Sequence, residues 1–283
     1  MNLEAYGRGR DALLARIRAL LQADPRVDAA WLSGSFGRGE ADAWSDLDLH
    51  VAVRDAELDA FLAERPALYA RVGRPVLVQH EFAQSNSLPG ARFQLVWFEG
   101  PYEVDWSIGP TGTARRAPAS LLLFERVPMP PLELPALTTE EWRERLERRL
   151  EFFWAMAPIA VKYAGRGDVS PTIRQIDLLS TALIQLWRLL REPDGPDPWQ
   201  PNLTNRPLED ELDARLPRLG GTADPAENLR VIRALCAEAE QLHDQIAALG
   251  IAVPDAMPQQ VQAISQIAEQ ALARGERQRR KYR

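Results

Sequence analysis

From Asp46 to Val53 the chain alternates acidic or polar residues (Asp46, Asp48, His50) with apolar ones (Leu47, Leu49, Val51, Val53). Strict alternation predicts a strand with one buried and one wet face, so Asp46 and Asp48 point the same way. Two carboxylates on one face repel each other unless a cation lies between them. A hard divalent ion such as Mg2+ suits that arrangement, because it takes carboxylate and phosphate oxygens while keeping some of its water.

Upstream, Val27 to Leu32 reads as a short apolar strand that Gly34-Ser35 breaks, and Gly37-Arg38-Gly39 reads as the opening of a short helix. Exposed N–H groups at such a turn cradle phosphate oxygens, with the Ser35 hydroxyl as a further donor and Arg38 in reach of the same oxygens. A glycine-serine turn is common between strands, and it becomes specific only when joined to the Asp-x-Asp strand that follows. Downstream, Arg92 to Phe98 and Glu103 to Ile108 are two strand-like runs separated by Glu99-Gly100-Pro101-Tyr102, a turn that closes a hairpin. Val104, Trp106 and Ile108 alternate with Glu103, Asp105 and Ser107, which puts Asp105 and Glu103 on a polar face.

Gly34-Ser35, ten intervening residues and Asp46-Leu47-Asp48 resemble the signature of the DNA polymerase β-like nucleotidyltransferase superfamily. The longer runs Gly34-Ser-Phe-Gly-Arg-Gly-Glu-Ala41 and Ser45-Asp-Leu-Asp-Leu49 are similar to its aminoglycoside and lincosamide nucleotidyltransferase branches, and the match spans about residues 28 to 108. The resemblance implies a third carboxylate from a later strand, for which Asp105 is the candidate as metal ligand, general base or both, with Glu103 its rival as the base. It implies Mg2+ held by Asp46, Asp48 and Asp105, and a nucleoside triphosphate, with ATP expected, held by Gly34, Ser35 and Arg38. The implied reaction moves a nucleoside monophosphate to a hydroxyl of a small molecule, such as an aminoglycoside or lincosamide antibiotic, and releases pyrophosphate. Antibiotic resistance is the corresponding role. Lys162, flanked by apolar residues, is either a further triphosphate contact, as helical-domain lysines are in similar enzymes, or a surface lysine. Nucleotidylation of a protein, RNA modification and an inactive binding module remain the other readings.

Charge bears on the partner. With 34 basic against 40 acidic residues the net charge is −6, whereas proteins that track a nucleic acid backbone present a basic surface. A small acceptor is expected over DNA or RNA, and an acidic cleft attracts a cationic one. The exception is the basic tail Arg274–Arg283, read as a solvated helix end or an RNA contact. A single cysteine, Cys236, excludes an intramolecular disulfide framework. The first residues lack a cleavable-signal pattern, no apolar run approaches the ~20 residues of a membrane span, and a cytoplasmic location is expected. His50, His80 and His243 are scattered without zinc spacing.

The fold class expected is α+β, with a small mixed-sheet nucleotidyltransferase domain over residues 1–112, a proline-rich linker over 113–137 and a helical substrate-binding domain over 138–283. Helices are predicted over Leu3–Leu21 and Asp55–Tyr69, and a strand over Pro75–Phe82. In the second half a capping box at Thr138-Thr-Glu-Glu141 starts a helix with Trp142, Leu146, Leu150, Phe153, Trp154 and Ala157 on one face, which Pro158 kinks or restarts. A second begins at Ser170-Pro171 with Ile173, Ile176, Leu179, Leu183, Leu186, Trp187 and Leu190 on its core face. A third runs from Asp224 to Gly250, and a fourth spans about Pro258 to Ala273. Arg174, Asp177 and Thr181 form a polar stripe that either meets the acceptor or faces water. The loop Pro193–Pro207, with five prolines, is a site cover or a rigid surface connection.

Overall fold

Gly7, Arg10, Leu13, Ile17 and Leu21 recur three or four residues apart and form the buried face of helix α1 (Leu3–Ala23), which opens where Asn2 Oδ1 accepts the Ala5 N–H at 2.9 Å. Strand β1 (Val27–Leu32) is buried along its whole length. The computed structural model describes residues 2–83, 88–133, 137–193, 214–216 and 220–275. The chain divides into two units, Met1–Leu134 and Pro135–Arg283.

In the first unit, short helix α2 (Gly34–Arg38) follows β1, and strand β2 (Leu47–Val53) comes next. The single helix expected over Asp55–Tyr69 is a 3-10 turn (Asp55–Glu57) and two short helices, α3 (Leu58–Ala63) and α4 (Arg65–Val72). Pro66 sits in the first turn of α4, where its missing N–H has no helical partner to lose. Strand β3 (Pro75–Val78) is shorter than expected. It is followed by β4 (Phe82–Ala83), β5 (Arg92–Phe98), β6 (Tyr102–Pro110) and β7 (Leu121–Glu125). The strand order is β3-β5-β6-β2-β1-β7, with β4 also paired to β5. Strands β2 and β6 are parallel and the other pairs antiparallel, so the sheet is mixed and the fold α+β.

Strand β7 lies within the proline-rich stretch expected to be an extended linker. Its apolar Leu121-Leu-Leu-Phe124 pairs antiparallel with β1, and Leu123 and Phe124 join the core. Edge pairing and burial outweigh the surrounding prolines, which flank the strand instead of interrupting it. One sheet face carries Leu47, Leu49, Val51, Val53, Val104, Trp106 and Ile108 into a core completed by Leu13, Ile17, Leu21, Phe61, Tyr69 and Val72. Each such side chain contributes about 1.5–3 kcal/mol by leaving water. The opposite face is covered over part of its area by a smaller cluster of Trp31, Ala52, Leu88, Ala91, Ala114 and Met129. That face carries the polar set of β2 and β6.

The second unit is helical: α5 (Thr139–Arg166), α6 (Val169–Arg191), α7 (Pro225–Glu240), α8 (His243–Ala248) and α9 (Met257–Ala273). Helix α5 opens on the full capping box of Thr138 and Glu141 and packs against α6, α7 and α9. It runs unbroken through Pro158, because the buried row Phe153, Trp154, Ala157, Ala160, Val161 and Ala164 holds its turns on both sides of the proline. The helix expected from Asp224 to Gly250 breaks at Gln241-Leu242 into α7 and α8. Ile173, expected in the core, is 38% exposed, while Ile176, Leu179, Leu183, Leu186 and Trp187 are buried as expected. His243 accepts the Trp154 indole N–H at 2.9 Å, a structural role. Cys236 is buried and unbridged, with its thiol pushed up to about 12 by burial and then by Glu240. No helix among the described residues is long and apolar enough to cross a membrane. Most of the Pro193–Pro207 loop and the tail beyond Gly275 lie outside the described residues.

Candidate active site

Because β2 and β6 run parallel with Leu47 opposite Val104 and Leu49 opposite Trp106, Asp48 and Asp105 stand side by side on the polar face. Asp46 immediately precedes β2, and Glu103 is two residues before Asp105, which brings a fourth carboxylate to the same end of the strands. Burial first, then the charge of Asp46, pushes the Asp48 carboxyl up to about 6, with Arg38 opposing and Glu103 assisting the rise. Burial first, then Asp48, Glu103 and Asp46, pushes Asp105 up to about 7. Glu103 is raised by burial and by Asp46. Asp105 Oδ1 is buried with no hydrogen-bond partner among the described residues.

The glycine-serine turn is built against Asp48. The Ser33 N–H donates to the Asp48 carbonyl at 2.9 Å, tying the end of β1 to β2. Gly34 has φ +58°, and a Cβ there would overlap the Asp48 carboxylate, so only glycine permits this approach. The short helix starts at Gly34, three residues before the Gly37 start read from the sequence, and ends at Gly39 with φ +73°. Ser35 Oγ is buried and lacks a hydrogen-bond partner among the described residues. The opening N–H groups of a helix have no acceptor within it. Gly37 faces the Ala119 carbonyl, 2.5 Å from where a Cβ would lie, and so α2 rests on the segment leading into β7.

Arg38 influences Asp48, but its Nε donates to Glu40 Oε2 at 2.6 Å. His50 lies flat on Trp31, centroids 5.4 Å apart and 2° between planes, with Nε2 3.0 Å from Ser33 Oγ. Burial pushes its pKa down to about 4, so the ring is neutral at pH 7 and braces the turn. Arg10, absent from the sequence reading, is buried in α1. Its guanidinium donates to the carbonyl of Ser45 at 2.9 Å and lies 4.9 Å over the Phe36 ring, gripping both α2 and the loop that leads to Asp46. The signal for it was an arginine on the apolar face, three residues before Leu13 and seven before Ile17.

Among the described residues no three His, Cys, Asp or Glu side chains already converge as a ready-made metal cage. Asp48 and Asp105 are together, and Asp46 acts on both as a neighbouring charge. Lys162 belongs to the second unit, exposed on α5 beside a shallow hollow lined by Val161, Arg166, Ile264 and Ile267. Arg174 and Asp177 are exposed on α6 and Thr181 is half-buried.

No protein-family model and no curated protein matches the chain. Among solved structures, an aminoglycoside 6-adenyltransferase from Bacillus subtilis aligns over 93% of this chain and 98% of its own, at 12% identity and a TM-score of 0.38. A likeness that distant assigns no substrate.

Proposed function

We propose that the protein is a Mg2+-dependent nucleotidyltransferase that moves a nucleoside monophosphate from a nucleoside triphosphate, ATP by the sequence resemblance, to a hydroxyl of a small acceptor. The observation that carries this reading is the strand register that sets Asp48 beside Asp105, directly under a glycine turn too close to Asp48 for any side chain. The residues suit a divalent ion: a buried carboxylate oxygen of Asp105 has no partner, and both aspartates are held protonated well above the usual carboxylate range until a positive charge arrives. Asp46, Asp48 and Asp105 would hold Mg2+, which supplies charge neutralisation on the triphosphate and acidifies the attacking hydroxyl.

The remaining work falls to the chain. The N–H groups that open α2, with the partnerless Ser35 hydroxyl, donate to the non-transferred phosphates, and Arg38 adds positive charge to the same side. Asp105 or Glu103 accepts the proton of the acceptor hydroxyl as its oxygen bonds the α-phosphorus, the α–β bridging bond breaks, and pyrophosphate leaves with the electron pair. An aminated or hydroxylated antibiotic of the aminoglycoside or lincosamide type is the proposed acceptor.

The direct test is incubation of the protein with Mg2+, each of the four common nucleoside triphosphates and a panel of such acceptors, read by mass spectrometry for products heavier by one nucleoside monophosphate. Asp48→Asn and Asp105→Asn are expected to lower product formation by about a thousandfold or more, the several kcal/mol attributed to metal-assisted charge stabilisation. Product formation by both variants at the wild-type rate would overturn the proposal.

A further inference from the structure

Strand β5 borders the acidic face. Its register with β6 sets Leu95 opposite Asp105 and Trp97 opposite Glu103, and on its far side β3 sets Leu77 opposite Trp97. Partners across a ladder share a face, with Cβ atoms about 4.5–5.5 Å apart, so Leu95, Trp97 and Leu77 stand on the carboxylate side of the sheet. The alternate residues agree, since Val96 and Phe98 lie in the core beneath, opposite Val104 and Tyr102. Leu95 and Trp97 are half-buried and Leu77 is 54% exposed. None of the three belongs to either apolar cluster of the first unit. An apolar row that starts beside two carboxylates and joins no core is the kind of surface a ligand covers.

Strand order says which ligand. In the sequence β5-β6-β2-β1, the turn that opens α2 follows β1 and lies against Asp48, so it is on one side of the two aspartates and β5 is on the other. Attacking and leaving oxygens in phosphoryl transfer are roughly in line. With the non-transferred phosphates at the N–H groups of α2, pyrophosphate departs towards β1 and the attacking hydroxyl arrives from β5. Two residues at about 3.3 Å each separate Leu95 from Trp97 by about 7 Å along the strand. A hydroxyl above Leu95 and Asp105 therefore leaves room for a ring above Trp97.

We propose that β5 is the floor on which the acceptor lies, with the reacting hydroxyl over Leu95 and an apolar ring, aryl or alicyclic, resting on Trp97 and reaching Leu77. This rests on the nucleotidyltransferase reading and adds the side from which the acceptor enters and the residues that select it. Phenyl β-D-glucoside is the probe and methyl β-D-glucoside its control, because the two carry the same hydroxyls and differ in the aryl group. Each is titrated against the full chain by ligand-observed NMR, and a nonhydrolysable ATP analogue with Mg2+ is titrated separately by calorimetry. The wild type is expected to bind the phenyl glucoside about two- to tenfold more tightly than the methyl glucoside, the worth of one aromatic pair. Trp97→Ala is expected to erase that ratio and Trp97→Phe to keep most of it. Leu77→Ala, at an exposed edge position, is expected to reduce it, and the Kd of the analogue stays unchanged in all three variants. Weakened analogue binding with an unaltered glucoside ratio in Trp97→Ala would mean that the row stacks a nucleobase, and the proposal would be wrong. Equal affinity for the two glucosides in a wild type that binds the analogue would remove the acceptor floor and leave the nucleotidyltransferase reading intact. A Trp97-dependent preference for the phenyl glucoside in a protein that neither binds the analogue nor consumes any nucleoside triphosphate would do the reverse.

Discussion

Burial and neighbouring charges hold Asp105 protonated up to about pH 7 and Asp48 up to about 6, far above their ordinary value of 3.8. The folded protein therefore binds more protons than the unfolded chain between about pH 4 and 7, and its stability without metal falls as pH rises through that window. Asp105→Asn imitates the protonated state, so thermal unfolding in a chelator should show a flatter pH profile and a higher midpoint than wild type at pH 8. Mg2+ should raise the wild-type midpoint at pH 8 more than that of Asp105→Asn, because the ion replaces the lost protons. Equal pH profiles for the two proteins would mean that Asp105 is an ordinary solvated strand residue. Period-two alternation in the sequence was enough to put Asp105, Glu103 and Asp48 on polar faces. Their shared level on the sheet was not legible, because a parallel register joins residues 57 positions apart and no local pattern specifies it.

In the turn between β1 and β2, the left-handed backbone of Gly34 lets the Asp48 carboxylate lie where a side chain would begin. Gly34→Ala should lower stability by at least the ~1–2 kcal/mol that a left-handed alanine adds, with a further loss as Asp48 is displaced. Urea unfolding measures the first effect and the Kd of a Mg2+–nucleotide complex the second; a variant that keeps wild-type stability and affinity would remove the turn from the site. Elements with strong local signals were readable beforehand: the apolar periodicity of α1, the capping box of α5, the apolar runs of β1 and β5, and the alternation of β2 and β6. The differences arose where packing overrode a local cue. Proline-rich flanks concealed β7, which exists because β1 offers it an edge, and Pro158 sits inside α5 because a buried row on either side of it keeps the helix continuous. In the opposite direction, the helical pattern over residues 55–69 conceals two breaks, after Glu57 and at Glu64.

The acidic excess of the whole chain, 40 carboxylates against 34 cations, acts on both substrates of the proposed reaction but with opposite sign. A polycationic acceptor is drawn in by the long-range field, whereas a Mg2+–triphosphate complex, still net negative, is held off until it reaches the N–H groups of α2. Screening separates the two, since the Debye length shrinks from about 30 Å at 0.01 M salt to about 3 Å at 1 M. Stopped-flow association rates measured over that range should fall for a polycationic aminoglycoside and rise for the Mg2+–nucleotide complex. Rates that fell together would place nucleotide capture under a local basic patch instead of the molecular charge. A protein whose field gathers the amine and repels the triphosphate needs close-range donors to win the nucleotide back, and in the proposed reaction that part falls to the Gly34-Ser35 turn.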